Sequence, residues 1–438
     1  LYVGSDIVNC NFFFFFFMNN GGAGLYATVV RGTIENCSFI NNKKEGVRVT
    51  GSFSGVFKKC NFEGNEKEGL YSDASGSTYV VDSCDFSRNG TYGLYMSQCN
   101  FDLTNSTFDS NKGTAFVYDI TKYNNTTSLL SDNKFLRTNK AYPAYSTTNP
   151  YPAPEFTSCK ITEKTIDIVV KVDTATKAKI ELFYTSQGEQ TAEMLVDSFY
   201  TEADGTFSIS LDKSKFAGKS IIGFTATATY GGKFTSPLSD VVYPEMGKVD
   251  LTSTEFYVKV DGYGDGSSWE KAMSPQTFAY YLPQAKDGST FYVAEGTYYP
   301  MYDSEGNQSA DVVYVINNDV NIQGGFYEDK NSKFKNDPVN HKTIFSGDIY
   351  NDDTLIYYPN EYRSGASGCV RNDTIYYFDN TSDNSNLFLL KDNSNVKMSG
   401  VNISNGIKGG SSYSITVSEG SSLELTHSVI TKCSNAIN

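Results

Sequence analysis

The chain has 438 residues, a formal net charge of −14 and a hydrophobic fraction of 39%. That fraction is sufficient for packed cores and excludes a wholly disordered chain. The strong negative charge argues against nucleic acid and anionic membranes as partners, because both are bound by clustered Lys and Arg. The chain has only two His, which argues against a His-based metal site and against a Ser-His-Asp triad.

The asparagines divide the chain into three segments. There are 18 Asn in residues 1–149, none in 150–306 and 19 in 307–438. A gap of that length in an Asn-rich chain indicates a change of architecture, and a Pro-rich connector precedes the middle part. The predicted domains are 1–145, 153–245 and 252–438. Both ends of the chain fall inside repeats, so we expect a segment of a longer protein.

The first segment carries a repeat of about two dozen residues. Its pattern is Cys-x-Phe-x-x-Asn-x-x-x-Gly, followed by Leu or Val and then by Tyr or Arg. A fourth copy has Ser for Cys, a looser copy surrounds Phe135, and we place an early copy at Cys10 and Phe12. The repeat positions are occupied by Cys37, Cys60 and Cys84, by Phe39, Phe62, Phe86 and Phe108, and by Asn42, Asn65, Asn89 and Asn111.

Each repeat predicts one coil of a parallel β-helix. Cys and Phe two positions apart lie on one face of a strand, while Gly and Asn suit the turns between short strands. Stacked coils place like residues over like residues, so that Phe, Asn and Cys form ladders. A leucine-rich repeat has a similar period, but it requires several Leu per repeat, and these repeats have one at most.

The repeats resemble a known bacterial family. Phe-x-x-Asn recurring every two dozen residues, with one Gly21-Gly22-Ala23, resembles the repeats of the polymorphic outer membrane proteins. These belong to the wider class of right-handed, pectate-lyase-like β-helices. The resemblance implies a right-handed parallel β-helix in a secreted or cell-surface protein, located outside a bacterium or on its outer membrane.

The middle segment changes to strict alternation of apolar and polar residues with Gly and Asp turns. Six or seven strands in about 90 residues are typical of an immunoglobulin-like sandwich. We predict a spacer role, with ligand binding as the alternative. The predicted strands are 166–170, 180–184, 194–200, 207–211, 224–228 and 234–242.

The third segment predicts the start of a second parallel β-helix. Ser274 before Pro275 is a good N-cap and first-turn pair for a short helix, in which Phe278 and Leu282 share one apolar face. Such a helix would cap the exposed end of the coils, and strand-like segments follow it. We interpret the acidic, Asn-rich stretch 350–386 as an insertion or as long loops. The overall prediction is an all-β protein with two right-handed β-helix segments flanking the sandwich.

The cysteine ladder has two interpretations. Reduced Cys packs as a small apolar residue, which favours buried thiols at Cys37, Cys60 and Cys84, with Cys10 at the same repeat position. Adjacent coils lie about 4.8 Å apart, which is within reach of a disulfide, so bridges are the alternative. No Cys-x-x-Cys is present, and no metal site is predicted.

The outward positions form a candidate ligand site. Tyr26, Arg48, Tyr71 and Tyr95 each follow an inward Leu or Val, so we expect them to lie in one outward ladder. Stacked aromatic rings bind the apolar faces of sugars, while the alternative is that they stack for stability alone. No cofactor is predicted. The Gly-rich loop 261–266 has two interpretations, a plain turn, which is favoured, and a binding site for a structural calcium ion.

The family resemblance, together with the absence of a recognisable catalytic motif, implies a non-catalytic bacterial surface protein, either an adhesin or a structural display protein, with glycans or host-surface proteins as partners. No apolar run approaches the roughly 20 residues of a transmembrane helix. The first alternative is a polysaccharide lyase or glycoside hydrolase with a calcium site or paired carboxylates, and the second is a tailspike-like receptor-binding protein. The candidate carboxylates of the first segment do not recur in one frame, and they are Asp73, Asp82, Asp85, Asp102 and Asp109. Those of the third segment form a looser cluster of Asp348, Asp352, Asp353 and Asp373.

Overall fold

The chain forms two compact units. The first contains Leu1–Lys215 and Ile222–Pro244, and the second contains Phe216–Ile221 and Glu245–Asn438. The division into three domains stays a prediction. The computed structural model describes residues 2–3, 7–8, 11–74, 76–119, 128–137, 144–145, 152–172, 177–186, 191–216, 219, 222–245, 247–300, 313–348, 355–358, 375–378, 386–406, 413–433 and 436–438.

Short strands follow one another from residue 2 to residue 145, because β-branched and aromatic residues alternate there with polar ones. Their bounds are Tyr2–Val3 (β1), Ile7–Val8 (β2), Phe12–Phe13 (β3), Phe16–Met18 (β4), Leu25–Glu35 (β5), Ser38–Ile40 (β6), Val47–Lys58 (β7), Asn61–Glu63 (β8), Leu70–Ser72 (β9), Thr78–Asp82 (β10), Asp85–Ser87 (β11), Leu94–Ser97 (β12), Asn100–Thr104 (β13), Thr107–Asp109 (β14), Phe116–Asp119 (β15), Ser128–Ser131 (β16), Lys134–Leu136 (β17) and Ala144–Tyr145 (β18).

These strands stack in parallel. One sheet runs in the order β17-β14-β11-β8-β6-β4, and a larger sheet contains the path β18-β15-β12-β9-β7-β10-β13-β16. Each strand pairs with the equivalent strand of the next repeat, so that Phe62 lies opposite Phe39 on one side and Phe86 on the other. The predicted parallel β-helix is therefore confirmed.

The position of the first repeat was predicted wrongly. Phe17, and not Phe12, lies opposite Phe39 in the sheet, while Phe12 pairs with β5. Six consecutive Phe allow several registers, and we had chosen the one that aligned Cys10 with the other cysteines. The spacing to the next Gly identifies the correct copy, because Gly24 follows Phe17 by seven residues, as Gly follows Phe in the three Cys-containing copies.

Antiparallel strands replace the coils in the middle segment. They pair as β19-β20-β23 and as β25-β24-β21-β22. A short 3₁₀ helix covers Lys213–Phe216. The strand bounds are Glu155–Ile161 (β19), Thr165–Lys171 (β20), Ala178–Thr185 (β21), Met194–Tyr200 (β22), Thr206–Asp212 (β23), Gly223–Tyr230 (β24) and Phe234–Thr235 (β25).

The strand predictions for this segment are largely confirmed. β19 was missed because a register shift between Phe156 and Ser158 breaks its alternation. The strand predicted over 234–242 ends at Thr235, since Pro237 cannot donate to a strand ladder. The immunoglobulin-like identity of these strands stays a prediction.

The middle segment closes the C-terminal end of the first β-helix. β25 pairs with β16, and Leu130 N donates to Thr235 Oγ1 at 3.1 Å. The buried carboxylate of Glu181 accepts a hydrogen bond from Asp132 N at 3.1 Å. The last coil of a solenoid otherwise leaves backbone groups and apolar side chains uncovered. These contacts add a capping role to the predicted spacer role.

The second unit repeats the parallel design. Its strands stack as β26-β27-β30-β36-β39, β28-β32-β37-β40 and β29-β35-β38, which confirms the second β-helix. The bounds are Glu255–Val258 (β26), Pro275–Tyr281 (α1), Ser289–Ala294 (β27), Gly296–Tyr298 (β28), Tyr314–Ile316 (β29), Val320–Glu328 (β30), Phe334–Asn336 (β31), Thr343–Ser346 (β32), Leu355–Tyr358 (β33), Ile375–Phe378 (β34), Phe388–Leu390 (β35), Asn395–Ser399 (β36), Val401–Ser404 (β37), Ile415–Val417 (β38), Ser422–Thr426 (β39) and Val429–Thr431 (β40). Within 350–386 the described strands β33 and β34 pair as an antiparallel hairpin.

The predicted helix of the second unit is present as α1. Ser274 Oγ accepts a hydrogen bond from Thr277 N at 3.0 Å, and Pro275 occupies the first turn. Phe278 and Leu282 are fully buried, and a 3₁₀ turn over Leu282–Gln284 continues the helix. The sequence signals for this N-terminus are confirmed.

Candidate functional site

The inward phenylalanines form one continuous stack. Ring centroids are 5.1 Å apart between Phe39 and Phe62, 4.6 Å between Phe62 and Phe86, and 4.8 Å between Phe86 and Phe108. Phe17 extends the stack at 4.9 Å from Phe39. The four repeat phenylalanines are fully buried, and the strand spacing of about 4.8 Å that separates them also separates the outward residues of neighbouring coils.

The asparagines form a second internal ladder at the turn. Asn65 Nδ2 donates to the carbonyl of Phe39 at 2.9 Å and to Asn89 Oδ1 at 3.0 Å. Asn65 Oδ1 in turn accepts from the backbone N and the Nδ2 of Asn42. Asn111 continues the ladder below Asn89. Each buried amide therefore satisfies both its own polar atoms and backbone groups of neighbouring coils.

The repeat cysteines are buried free thiols. Cys37, Cys60 and Cys84 are each at most 2% exposed, and Cys60 N donates to Cys84 Sγ at 3.4 Å. Burial raises the pKa of Cys37 and of Cys84 because a thiolate is poorly solvated there. Cys10 lies outside the described residues. The thiols act as small packing groups in this arrangement.

We expect these thiols to resist alkylation in the folded protein, because all three are buried from the reagent. The thiolate is the reacting species, and the raised pKa disfavours it further at Cys37 and Cys84. The hydrogen bond with Cys84 lowers the pKa of Cys60, so burial alone protects that thiol. Cys433 is half-exposed and provides the internal reference. Timed labelling with iodoacetamide followed by peptide mapping should modify Cys433 at least tenfold faster than Cys37, Cys60 and Cys84. In urea the four rates should converge. Native labelling of Cys60 at the rate of Cys433, or a Cys37–Cys60 disulfide, would contradict the buried thiol ladder.

The four outward residues of the candidate site lie in register on adjacent strands. Tyr26 pairs with Arg48, Arg48 with Tyr71, and Tyr71 with Tyr95. The Arg48 guanidinium lies 4.5 Å from the centre of the Tyr71 ring, and the Tyr71 and Tyr95 rings stack at 4.8 Å. All four side chains are half-exposed. We call Tyr26, Arg48, Tyr71 and Tyr95 the outward ladder.

The environment of the outward ladder determines the protonation states of Arg48 and Tyr71. Burial lowers the pKa of Arg48, but the hydrogen bond and charge of Glu45 outweigh burial and leave this pKa raised. Burial, with the charge of Asp73 as a smaller cause, raises the pKa of Tyr71. Arg48 is therefore a permanent cation, and Tyr71 is a neutral phenol at physiological pH.

A cavity of about 670 Å³ opens beside Tyr26 and Arg48. We call it the Gly-Gly-Ala cavity, because the turn Gly21–Ala23 forms one wall. The opposite wall is charged and contains Lys44, Glu45, Arg48 and Lys67. Lys44, Glu45 and Lys67 were not among the predicted site residues. Aligning the turns on their preceding Phe would have placed them beside the Gly-Gly turn, since all occupy equivalent turn positions.

The candidate carboxylates Asp82, Asp102 and Asp109 have different environments in the described part of the chain. Asp82 has a lowered pKa, chiefly because Asn105 donates a hydrogen bond to it, whereas burial and then the charge of Asp82 raise the pKa of Asp102. Asp109 is ion-paired with Arg137. Asp352, Asp353 and Asp373 lie outside the described residues.

No group of three or more His, Cys, Asp and Glu within the described ranges is placed to hold a metal ion. The Gly-rich loop 261–266 contains a local turn, in which Asp265 Oδ1 accepts from Ser267 N at 3.0 Å. The plain turn favoured by the sequence and its alternative, a structural calcium site, both stay predictions.

Comparison with known families agrees with the stacked coils. Residues 3–168 match the family described as a right handed beta helix region. The chain is a right-handed parallel β-helix protein. A search of curated proteins finds no match for this β-helix protein, and its narrower resemblance to the polymorphic outer membrane proteins stays a prediction.

Across the described part of the chain, no helix combines the length and apolarity needed to cross a bilayer.

Proposed function

We propose that this β-helix protein is a non-catalytic bacterial surface adhesin or display protein whose outward ladder binds glycans. The observation that carries the proposal is the half-exposed row of Arg48, Tyr71 and Tyr95, with its flat groups about one strand spacing apart. Because Tyr71 is stacked between Arg48 and Tyr95, the row presents ring edges, phenol hydroxyls and guanidinium donors, which contact the C–H groups and hydrogen-bond the hydroxyls of a sugar. A rigid row of such groups offers several contacts to one extended glycan.

The surroundings of the outward ladder favour binding over cleavage. The described turns between Phe39 and Phe108 are short, and they leave no long loops to wall a cleft there. Two of the candidate carboxylates are engaged elsewhere, since Asp82 accepts a hydrogen bond from Asn105 and Asp109 is ion-paired with Arg137. A glycosidase requires two free carboxylates on either side of one bond. Location at a bacterial surface is part of the proposal and rests on the family resemblance.

The first test is a glycan array combined with a depolymerisation assay on the purified chain. We expect binding to extended glycans without release of shorter products. Cleavage of any polysaccharide would replace this proposal with the lyase or hydrolase alternative. A stable trimer in light scattering, together with glycan binding, would favour the tailspike-like alternative.

The double change Tyr71→Ala/Tyr95→Ala should weaken glycan binding by roughly 5- to 150-fold, because two aromatic contacts of about 0.5–1.5 kcal/mol each are lost. Affinity is measured by calorimetry on the best glycan from the array. Tyr200→Ala is the matched control, since Tyr200 is exposed and lies in the middle segment. Binding that survives the double change removes the outward ladder as the site.

A further inference from the structure

The Gly-Gly-Ala cavity exists because one turn lacks side chains. Counted from the preceding Phe, positions four to six are Gly-Gly-Ala in the first described coil, Lys-Lys-Glu in the second and Glu-Lys-Glu in the third. A Cβ atom built on Gly21 or Gly22 meets no atom within 4 Å. The space above the second turn is therefore open, and the charged side chains of the next two coils face it.

The charge in this cavity opposes the charge of the whole protein. Three cations, Lys44, Arg48 and Lys67, share the wall with one anion, Glu45, which makes a local charge of +2 in a chain of net charge −14. Lys44 is exposed and makes no ion pair among the described residues. The adjacent Lys43, in contrast, is paired with Glu66 and lies outside the cavity wall.

Glu45 is the unusual member of the group. Its side chain is 2% exposed, and its Oε1 accepts from Arg48 Nη1 at 2.8 Å and lies 3.7 Å from Lys67 Nζ. Its Oε2 is buried and has no hydrogen-bond partner within the described ranges. A buried carboxylate oxygen without a donor is costly. A ligand hydroxyl in the cavity would supply the missing hydrogen bond.

We propose that the Gly-Gly-Ala cavity binds an acidic sugar at the end of the glycan that follows the outward ladder. The sugar's carboxylate or sulfate is bound by Lys44, Lys67 and the remaining donors of Arg48. A neighbouring hydroxyl donates to Glu45 Oε2, and the ring packs beside Tyr26. This inference rests on the proposed glycan-binding function and names its ligand class.

A sugar fits these observations better than a small inorganic anion. Phosphate or sulfate alone would use the three cations, but sulfate has no hydroxyl to donate to Glu45, and neither ion has a C–H face to pack beside the ring of Tyr26. The cavity of about 670 Å³ also exceeds what such an ion fills. The joint presence of cations, an acceptor at Glu45 and the ring of Tyr26 therefore selects an anionic carbohydrate.

The test uses an array that carries each glycan backbone in neutral, carboxylated and sulfated form. Lactose, 3′-sialyllactose and 3′-sulfolactose are one such set. We expect acidic forms to bind about tenfold or more tightly than the neutral form, as charge-assisted hydrogen bonds provide. The preference should fall as salt is raised from low to physiological concentration. Comparison of the two acidic forms distinguishes carboxylate from sulfate.

Two pairs of variants connect this preference to the cavity. Lys44→Gln should remove most of the acidic preference, while its neighbour Lys43→Gln should keep it. Gly21→Leu fills the cavity without removing a charge, and the open space around Gly21 lets the coil keep its fold. Its control is Lys112→Leu at the same repeat position, after Phe108.

The outcomes separate this inference from the proposed function. Equal binding of neutral and acidic forms, still lost in the Tyr71→Ala/Tyr95→Ala variant, overturns the acidic-sugar inference and leaves the glycan-binding proposal intact. An acidic preference that persists in folded Gly21→Leu overturns the cavity as its source. If no form of any glycan binds, both the inference and the proposed function are wrong.

Discussion

Asn65→Ala is expected to lower the free energy of unfolding of the first unit by about 3–5 kcal/mol. The side chain of Asn65 is 1% exposed and donates to the Phe39 carbonyl and to Asn89 Oδ1, while its Oδ1 accepts from two groups of Asn42. Alanine removes four hydrogen bonds. It also leaves buried donors and acceptors of the neighbouring coils without partners, which costs more than the bonds themselves.

Urea unfolding followed by circular dichroism measures this effect. Asn61→Ala is the control in the same coil, because among the described residues the Asn61 side chain makes a single hydrogen bond, from its Nδ2 to Glu63, and its Oδ1 has no partner to lose. We expect the control to change stability by less than about 1 kcal/mol. Asn65→Asp should also be strongly destabilising, because the carboxylate cannot donate to Phe39. A loss below about 1 kcal/mol for Asn65→Ala would show that the ladder contributes little.

Phe62→Ala should destabilise the same unit by about 3–5 kcal/mol. Phe62 is fully buried, stacks between Phe39 and Phe86 at 5.1 and 4.6 Å, and meets Phe57 edge-on at 5.9 Å. The change leaves a cavity that the rigid strands on either side cannot close. It also interrupts a stack whose pairs contribute about 0.5–1.5 kcal/mol each beyond area burial.

Two variants test the origin of that loss. Phe62→Leu keeps most of the volume and should cost about half as much or less. Phe16→Ala, which removes a phenylalanine that is 72% exposed, should change stability by no more than about 0.5 kcal/mol. If Phe62→Ala and Phe16→Ala have similar effects, the inward stack is not what stabilises the coils.

The repeat ladders could be predicted because the stacking of coils determines which repeat positions point inward. Phe62 and Cys60 alternate with polar neighbours, and the period is constant, so every coil places the same positions inward. The same alternation placed Tyr71 and Tyr95 outward. The prediction failed at the run of six Phe, because we aligned Cys10 with the other cysteines instead of using the seven-residue spacing from Phe to Gly, and the pairing of Phe17 with Phe39 shows the correct register.

The Gly-Gly-Ala cavity could be predicted only in part, because aligning the turns brings its charged residues together but does not show that Glu45 is buried. Its wall combines turn residues from three coils, and Glu45 looks like any solvated Glu in the sequence. Its burial follows from the neighbours that stacking places around it, Arg48 and Lys67 among them. A missing side chain at Gly21 also leaves no mark on hydrophobic periodicity.

The sequence by itself determined the class of the protein, because a repeated inward Phe and a repeated turn Asn are local signals that act identically in every coil. The tertiary structure decided what lies between coils and at their ends. Glu181 reaches Asp132 across 49 residues to cap the first β-helix, and Lys67 reaches Glu45 from the next coil. Such contacts depend on which different side chains meet in space, and no period in the chain records that.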